Sequence, residues 1–153
     1  MTGLIILAAG ASSRLGTPKQ NLIYQGQTLL QRAIHTALTS ACCEKIVVVL
    51  GANEGVIRPN ISDHQIHITY NPNWQEGIAS SIRLGISELQ KLEPNITAAI
   101  LMVCDQPFVD PLLIYQLNNM VIAISPVKTK NISLLTFATS KDCCTFDFLM
   151  ISW

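Results

Sequence analysis

Apolar residues in this chain fall either in short unbroken runs or at every third or fourth position. Leu4 to Ala9 (LIILAA), Lys45 to Leu50 (KIVVVL) and Ala98 to Cys104 (AAILMVC) are of the first kind, the pattern of strands covered on both faces. Gln65 to Tyr70 (QIHITY) alternates, which predicts a strand nearer a sheet edge. Thr28 to Thr39 places Leu29, Leu30, Ala33, Ile34, Ala37 and Leu38 on one helical face. Ala79 to Leu92 repeats that spacing with Ile82, Ile86 and Leu89. Pro111 to Met120 reads as a helix that opens on a proline, with Asp110 as its cap. Tyr24 with Gln25-Gly26-Gln27 predicts a turn, and Met120 to Ser125 a further strand. Strands alternating with helices over connections of this length predict an α/β fold. It is a three-layer, doubly wound domain with a mostly parallel sheet and right-handed crossovers.

Composition narrows the setting. A chain of 153 residues holds one continuous core and predicts a single domain over residues 1–153. Ten Lys and Arg balance ten Asp and Glu, so no electrostatic footprint for nucleic acid or an anionic membrane exists, and an anionic ligand must be held locally. The first ten residues lack the basic start of a signal peptide, and no apolar run approaches the ~20 residues of a membrane span. A cytoplasmic protein is expected. The five cysteines stand as Cys42-Cys43, Cys104 and Cys143-Cys144, without Cys-x-x-Cys spacing. Buried reduced thiols are the favoured reading over a zinc or redox site.

In a doubly wound sheet, ligands gather beyond the carboxyl ends of the strands. The loop after the first run reads Ala8-Ala9-Gly10-Ala11-Ser12-Ser13-Arg14-Leu15-Gly16-Thr17-Pro18-Lys19-Gln20. Small residues let successive amide N–H groups approach an anion, Ser12 and Ser13 add hydroxyl donors, and Arg14 and Lys19 add charge. The loop completes neither GxxxxGK[ST] nor GxGxxG. The competing reading is a turn of small residues with a solvated Arg and Lys. A second segment, Asn71-Pro72-Asn73-Trp74-Gln75-Glu76-Gly77-Ile78-Ala79-Ser80-Ser81, enters a helix. There Gly77 and the Ser80 and Ser81 amides can form an anion-binding helix start, or Ser80 can cap the helix with Trp74 packed beneath. The third is Cys104-Asp105-Gln106-Pro107. A carboxylate at the end of a central strand is costly to bury unpaired, so Asp105 is expected to meet a cation, the competing reading being that it caps the following turn. Mg²⁺, which binds one or two carboxylates plus substrate phosphates, competes with Arg14 or Lys19 for that place. His35, His64 and His67 show no convergent partner.

Leu7 to Gly16 followed by Pro18-Lys19-Gln20, together with the Asn71 and Asp105 segments, resembles the signature of the molybdenum cofactor nucleotidyltransferase family. Its fold is the Rossmann-like nucleotide-diphospho-sugar transferase type. The Ala8-Ala9-Gly10 form is similar to the cytidylyl branch. The resemblance implies transfer of CMP from CTP to a phosphorylated, molybdopterin-type acceptor with release of pyrophosphate. It implies nucleotide contacts from Leu7, Ala8, Ala9, Gly10, Ser12, Ser13, Arg14, Lys19, Asn71, Gly77, Ser80 and Ser81. Arg14, Lys19 and Asp105 would act in catalysis, with Asp105 holding Mg²⁺.

The resemblance runs from residue 3 to about residue 120. Relatives continue with a Tyr-Gly-Gly-type turn, a Gly-x-Pro segment and an acidic region. Residues 121–153 contain no glycine, and Asp142 and Asp147 match no motif, so a second metal carboxylate has no assigned position. A truncated or divergent C-terminal part is expected, with reduced turnover and a tendency to self-associate through uncovered core. Two other functions stay open: a non-catalytic nucleotide- or cofactor-binding module serving a molybdoenzyme, and a nucleotidyltransferase acting on a sugar phosphate.

Overall fold

The computed structural model describes residues 1–12, 16–61, 65–124, 133–138 and 147–152, with side chains as far as Asn119. In chain order the elements are β1 (Thr2–Ala8), β2 (Ile23–Tyr24), β3 (Gln27–Thr28), α1 (Leu29–Ser40), β4 (Lys45–Leu50) and α2 (Glu54–Ile57). They continue with β5 (Ile66–Tyr70), α3 (Ile78–Leu92), β6 (Ala98–Val103), α4 (Pro111–Ile124), β7 (Ser133–Ala138) and β8 (Asp147–Ser152).

The main sheet runs β5-β4-β1-β6-β8-β7. β1 pairs in parallel with β4 and β6, and β4 with β5. β8 is antiparallel to both β6 and β7. Alternation along β1 sends its side chains into two cores. Leu4, Ile6 and Ala8 pack with Leu30, Ala33 and Ile34 of α1 and with Ile114 and Leu117 of α4. Ile5 and Leu7 face the other way, toward Val47, Val49 and Leu89 of α3. The result is three layers, helix, sheet and helix. Leu4, Ile5 and Ile6 have no exposed surface, and each such side chain contributes about 1.5–3 kcal/mol relative to exposure.

Local signals set the element boundaries. Thr28 closes a capping box on α1: its Oγ1 accepts from the Gln31 N–H at 3.1 Å, and Gln31 Oε1 accepts from the Thr28 N–H at 2.9 Å. Ala41, in the left-handed region at φ 49°, ends that helix. β2 and β3 form a two-stranded hairpin around Gln25 and Gly26, where the turn was expected. Asp110 Oδ1 accepts from the Leu113 N–H at 2.7 Å, the expected cap.

Two expectations need correction. Met120 to Ile124 is the last part of α4, not a strand. No breaker separates this run from the preceding helix, and a short apolar run carries no period that distinguishes the two. Ser125 lies outside the described residues. The region past residue 120 also extends the sheet, because β8 pairs with β6 and covers the flank expected to be open.

Cys104 is buried, as expected, whereas Cys42 and Cys43 are only half-buried. Cys143, Cys144, His64 and Asp142 lie outside the described residues. Among the described residues no helix is long and apolar enough to cross a membrane.

Candidate active site

The loop after β1 begins where two buried strands leave the sheet side by side. Gly51, at the end of β4, lies so close to it that a Cβ there would fall 2.5 Å from the Ala9 carbonyl oxygen. The Ala52 N–H donates to that same oxygen at 3.2 Å. Glycine at 51 is therefore required by close approach, and it seats the loop against the next strand.

Gln20 gives the loop its shape. It is 3% exposed, and its Nε2 donates to the carbonyl oxygens of Ala8 at 2.9 Å and Gly10 at 3.0 Å. Ser12 Oγ donates to Gln20 Oε1 at 3.4 Å and accepts from the Lys19 N–H at 2.9 Å. Ser12 adopts φ 52° and Gly16 φ 67°. A left-handed serine costs on the order of 1–3 kcal/mol and persists where surrounding bonds over-determine it. The Ala8 and Gly10 carbonyls are thus engaged by a buried amide.

Opposite the loop, Asn71 anchors the entry to α3. It is 3% exposed; its Nδ2 donates to Ser80 Oγ and Ser81 Oγ, both at 2.9 Å, and its Oδ1 accepts from the Asn73 N–H at 2.9 Å. Ser80 Oγ in turn donates to the carbonyl oxygens of Asn73 and Gly77. Gly77 occupies the N-cap position at φ 101°, so Ser80 is not the helix cap. The Ser80 N–H already donates to the Gly77 oxygen at 3.2 Å and is not a free anion donor.

Between these walls opens a cleft of about 410 Å³. Asp105, directly beyond β6, lies in it, with its carboxylate 3.5 Å from Lys19 Nζ. Both side chains remain more than two fifths exposed, so the pair contributes only about 0–1 kcal/mol and opens readily to a charged ligand. Cys104 beside it is buried, and burial followed by the Asp105 charge pushes its thiol up to about 12. It is a packed wall of the cleft, not a nucleophile.

Of the residues expected to bind nucleotide, Leu7, Ala9, Gly10, Ser12, Lys19, Gly77 and Ser81 line the cleft together with Asp105. Ala8 points into the core on the α1 side. Asn71 and Ser80 stand behind the wall and hold Ser81 and the turn in place. Ser13 and Arg14 lie outside the described residues. Gln20, Trp74, Gln75, Ile78 and Val103 also line the cleft. Gln20 stood in the Pro-Lys-Gln motif but had no assigned role, because a buried amide folding back on its own loop leaves no periodic signal. Among the described residues no group of three or more His, Cys, Asp or Glu gathers to hold a metal ion. A cage made by these side chains alone is therefore ruled out there. A single exposed carboxylate facing a phosphate-sized cleft does fit Mg²⁺, which draws its other ligands from substrate phosphates and water.

A family profile described as the MobA-like NTP transferase domain matches residues 4–129. The chain belongs to the MobA-like NTP transferase family. It is 40% identical over 82 residues to nicotine blue oxidoreductase of Paenarthrobacter nicotinovorans, covering 53% of this chain and 40% of that one. It is 31% identical over 87 residues to molybdenum cofactor cytidylyltransferase of Escherichia coli K12, covering 56% of this chain and 44% of that one. The matched part thus spans less than half the length of either relative. Among solved structures, Rv0371c from Mycobacterium tuberculosis H37Rv superposes with a TM-score of 0.71 at 28% identity, over 80% of this chain and 61% of that one. A manganese complex of Rv0371c superposes at 0.66 with 24% identity, over 80% and 60% of the two chains. The fold of this MobA-like NTP transferase domain is the Rossmann-like nucleotide-diphospho-sugar transferase type.

Proposed function

We propose that this domain binds a nucleoside triphosphate, with CTP favoured, and transfers CMP to a phosphorylated acceptor of the molybdopterin type. The observation that carries this reading is the meeting of a glycine- and serine-rich loop, Lys19 and Asp105 over one cleft, with Lys19 and Asp105 3.5 Å apart. The CTP and acceptor assignments rest on the Ala8-Ala9-Gly10 form and on the similarity to the cytidylyltransferase.

In the transfer, an acceptor phosphate oxygen forms a bond to the α-phosphorus while the bond to the β-phosphate oxygen breaks. Pyrophosphate leaves with the displaced electron pair. An acceptor that arrives ionised needs no strong general base, so positioning and charge neutralisation supply most of the rate. Loop amides, Ser12 and Lys19 hold the β- and γ-phosphates, and Arg14 is assigned to the same task from its place in the motif. The wall of Gly77 and Ser81 orients the rest of the ligand. Asp105 would hold a divalent cation, a choice in keeping with the manganese complex of the structural neighbour. When bound, that ion neutralises phosphate charge.

The test is pyrophosphate release from CTP with a molybdopterin acceptor. Lys19→Ala and Asp105→Ala are each expected to lower kcat/KM by 10²-fold or more, about 2.7 kcal/mol. Wild-type activity in both folded variants overturns the mechanism. Binding without pyrophosphate release favours the non-catalytic module, and turnover with a sugar phosphate alone favours the other transferase. A second reading comes from the 40% identity to an oxidoreductase: the loop would hold the pyrophosphate of a dinucleotide hydride carrier. Saturable binding of such a carrier without triphosphate binding would support it.

A further inference from the structure

At the other end of the sheet from the cleft, the turn between α1 and β4 carries two adjacent thiols. Ala41 takes the left-handed conformation that ends α1, and the Glu44 N–H joins the sheet by donating to the Thr2 oxygen at 2.9 Å. Adjacent residues in an extended strand point to opposite faces. Here Cys42 and Cys43 instead bring their sulfur atoms 3.8 Å apart, and both pack against the edge of the core while keeping part of their surface exposed.

We propose that Cys42 and Cys43 form a two-thiolate chelating site for a thiophilic metal or metalloid centre of the trivalent-arsenical type. Two As–S bonds of about 2.3 Å at a pyramidal angle of roughly 95–100° set their sulfurs about 3.4–3.5 Å apart, so the pair present closes onto such a centre by a few tenths of an ångström. A disulfide is poorly served by the same pair: neighbouring Cα atoms across a trans peptide stand about 3.8 Å apart, below the usual disulfide span of about 4.4–6.8 Å. Soft thiolates select soft centres, and exposure leaves the pair reachable from solvent. Burial and the proximity of Cys42 push the Cys43 thiol up, so Cys43 is protonated at rest and a centre must displace its proton. A monosubstituted arsenoxide does so without oxidant or reductant. Two As–S bonds form, the bonding between arsenic and oxygen breaks, and the oxygen leaves as water carrying both thiol protons.

The test uses phenylarsine oxide on the reduced full-length chain, read by intact mass and peptide mapping. Cys143 and Cys144 are also adjacent in sequence, so the titration is made in a Cys143→Ser/Cys144→Ser background. The expected result is one arsenical per chain, mapped to residues 42 and 43, kept in excess glutathione and released by dithiothreitol. Cys42→Ser or Cys43→Ser is expected to abolish it. Absence of uptake, or uptake that survives Cys42→Ser, overturns the proposal. Mapping on the unsubstituted chain supplies a variant-free check, and an adduct found only at other cysteines likewise overturns it.

Discussion

Gln20 shows how much one side chain governs in this fold. Its amide is buried and meets two loop carbonyls and the Ser12 hydroxyl, so Gln20→Ala leaves those carbonyls without their donor. The expected cost is about 1–3 kcal/mol of stability, read by denaturant unfolding, together with at least tenfold weaker triphosphate binding. Unchanged binding would show that the loop holds its shape alone. Asn71→Ala removes the donors to Ser80 and Ser81 at a similarly buried position, and the same range of about 1–3 kcal/mol is expected from thermal or chemical unfolding. Cys104 gives a contrasting outcome. Its thiol, pushed up to about 12 by burial, should resist iodoacetamide at pH 8 in the native protein and react once unfolded. Prompt native labelling would contradict the packing described for that wall.

Between elements, the seam joining β1 and β4 carries the loop. Gly51→Ala would put a Cβ against the Ala9 oxygen and the Trp74 Cβ, and backbone does not yield cheaply. We expect about 1–3 kcal/mol of destabilisation and a parallel loss of triphosphate affinity, checked by unfolding and calorimetry on the same sample. On the opposite layer, Glu88 of α3 lies 2.7 Å from Lys91 Nζ and 3.2 Å from His67 Nε2 of β5. The hydrogen bond from Lys91 is the largest influence lowering its pKa from the ordinary 4.5. A lowered folded pKa means the stabilisation is fully present above about pH 4.5 and is lost as pH falls through the lower folded value. Glu88→Gln should flatten the acid limb of the stability curve in that window by less than about 1 kcal/mol, as expected for exposed pairs. An unchanged limb would show that the pair contributes nothing. The buried parallel strands and the faces of α1 and α3 were legible in sequence because period and two-sided burial leave a direct imprint on residue type. Met120 to Ile124 was not, since five apolar residues fit either structure. β7 and β8 were also missed, because their pairing is long-range and no turn signal announces it.

For the whole molecule, zero net charge and a sheet whose parallel strands open onto one cleft direct attention to a few concentrated groups. That the loop after β1 and Asp105 share the carboxyl end of the sheet was readable, because each follows a buried apolar run. Their supports, Gln20 and Gly51, were not, because what they do depends on contacts across the seam rather than on local pattern. The claim on which the functional account rests is that this cleft grips a triphosphate through Lys19 and the loop. Calorimetric titration of wild type and Lys19→Ala with CTP and Mg²⁺ tests it most directly. The account predicts one site per chain in the wild type and at least tenfold weaker binding in the variant, about 1.4 kcal/mol. No triphosphate binding by the folded wild type, or equal affinity in the two proteins, would contradict it.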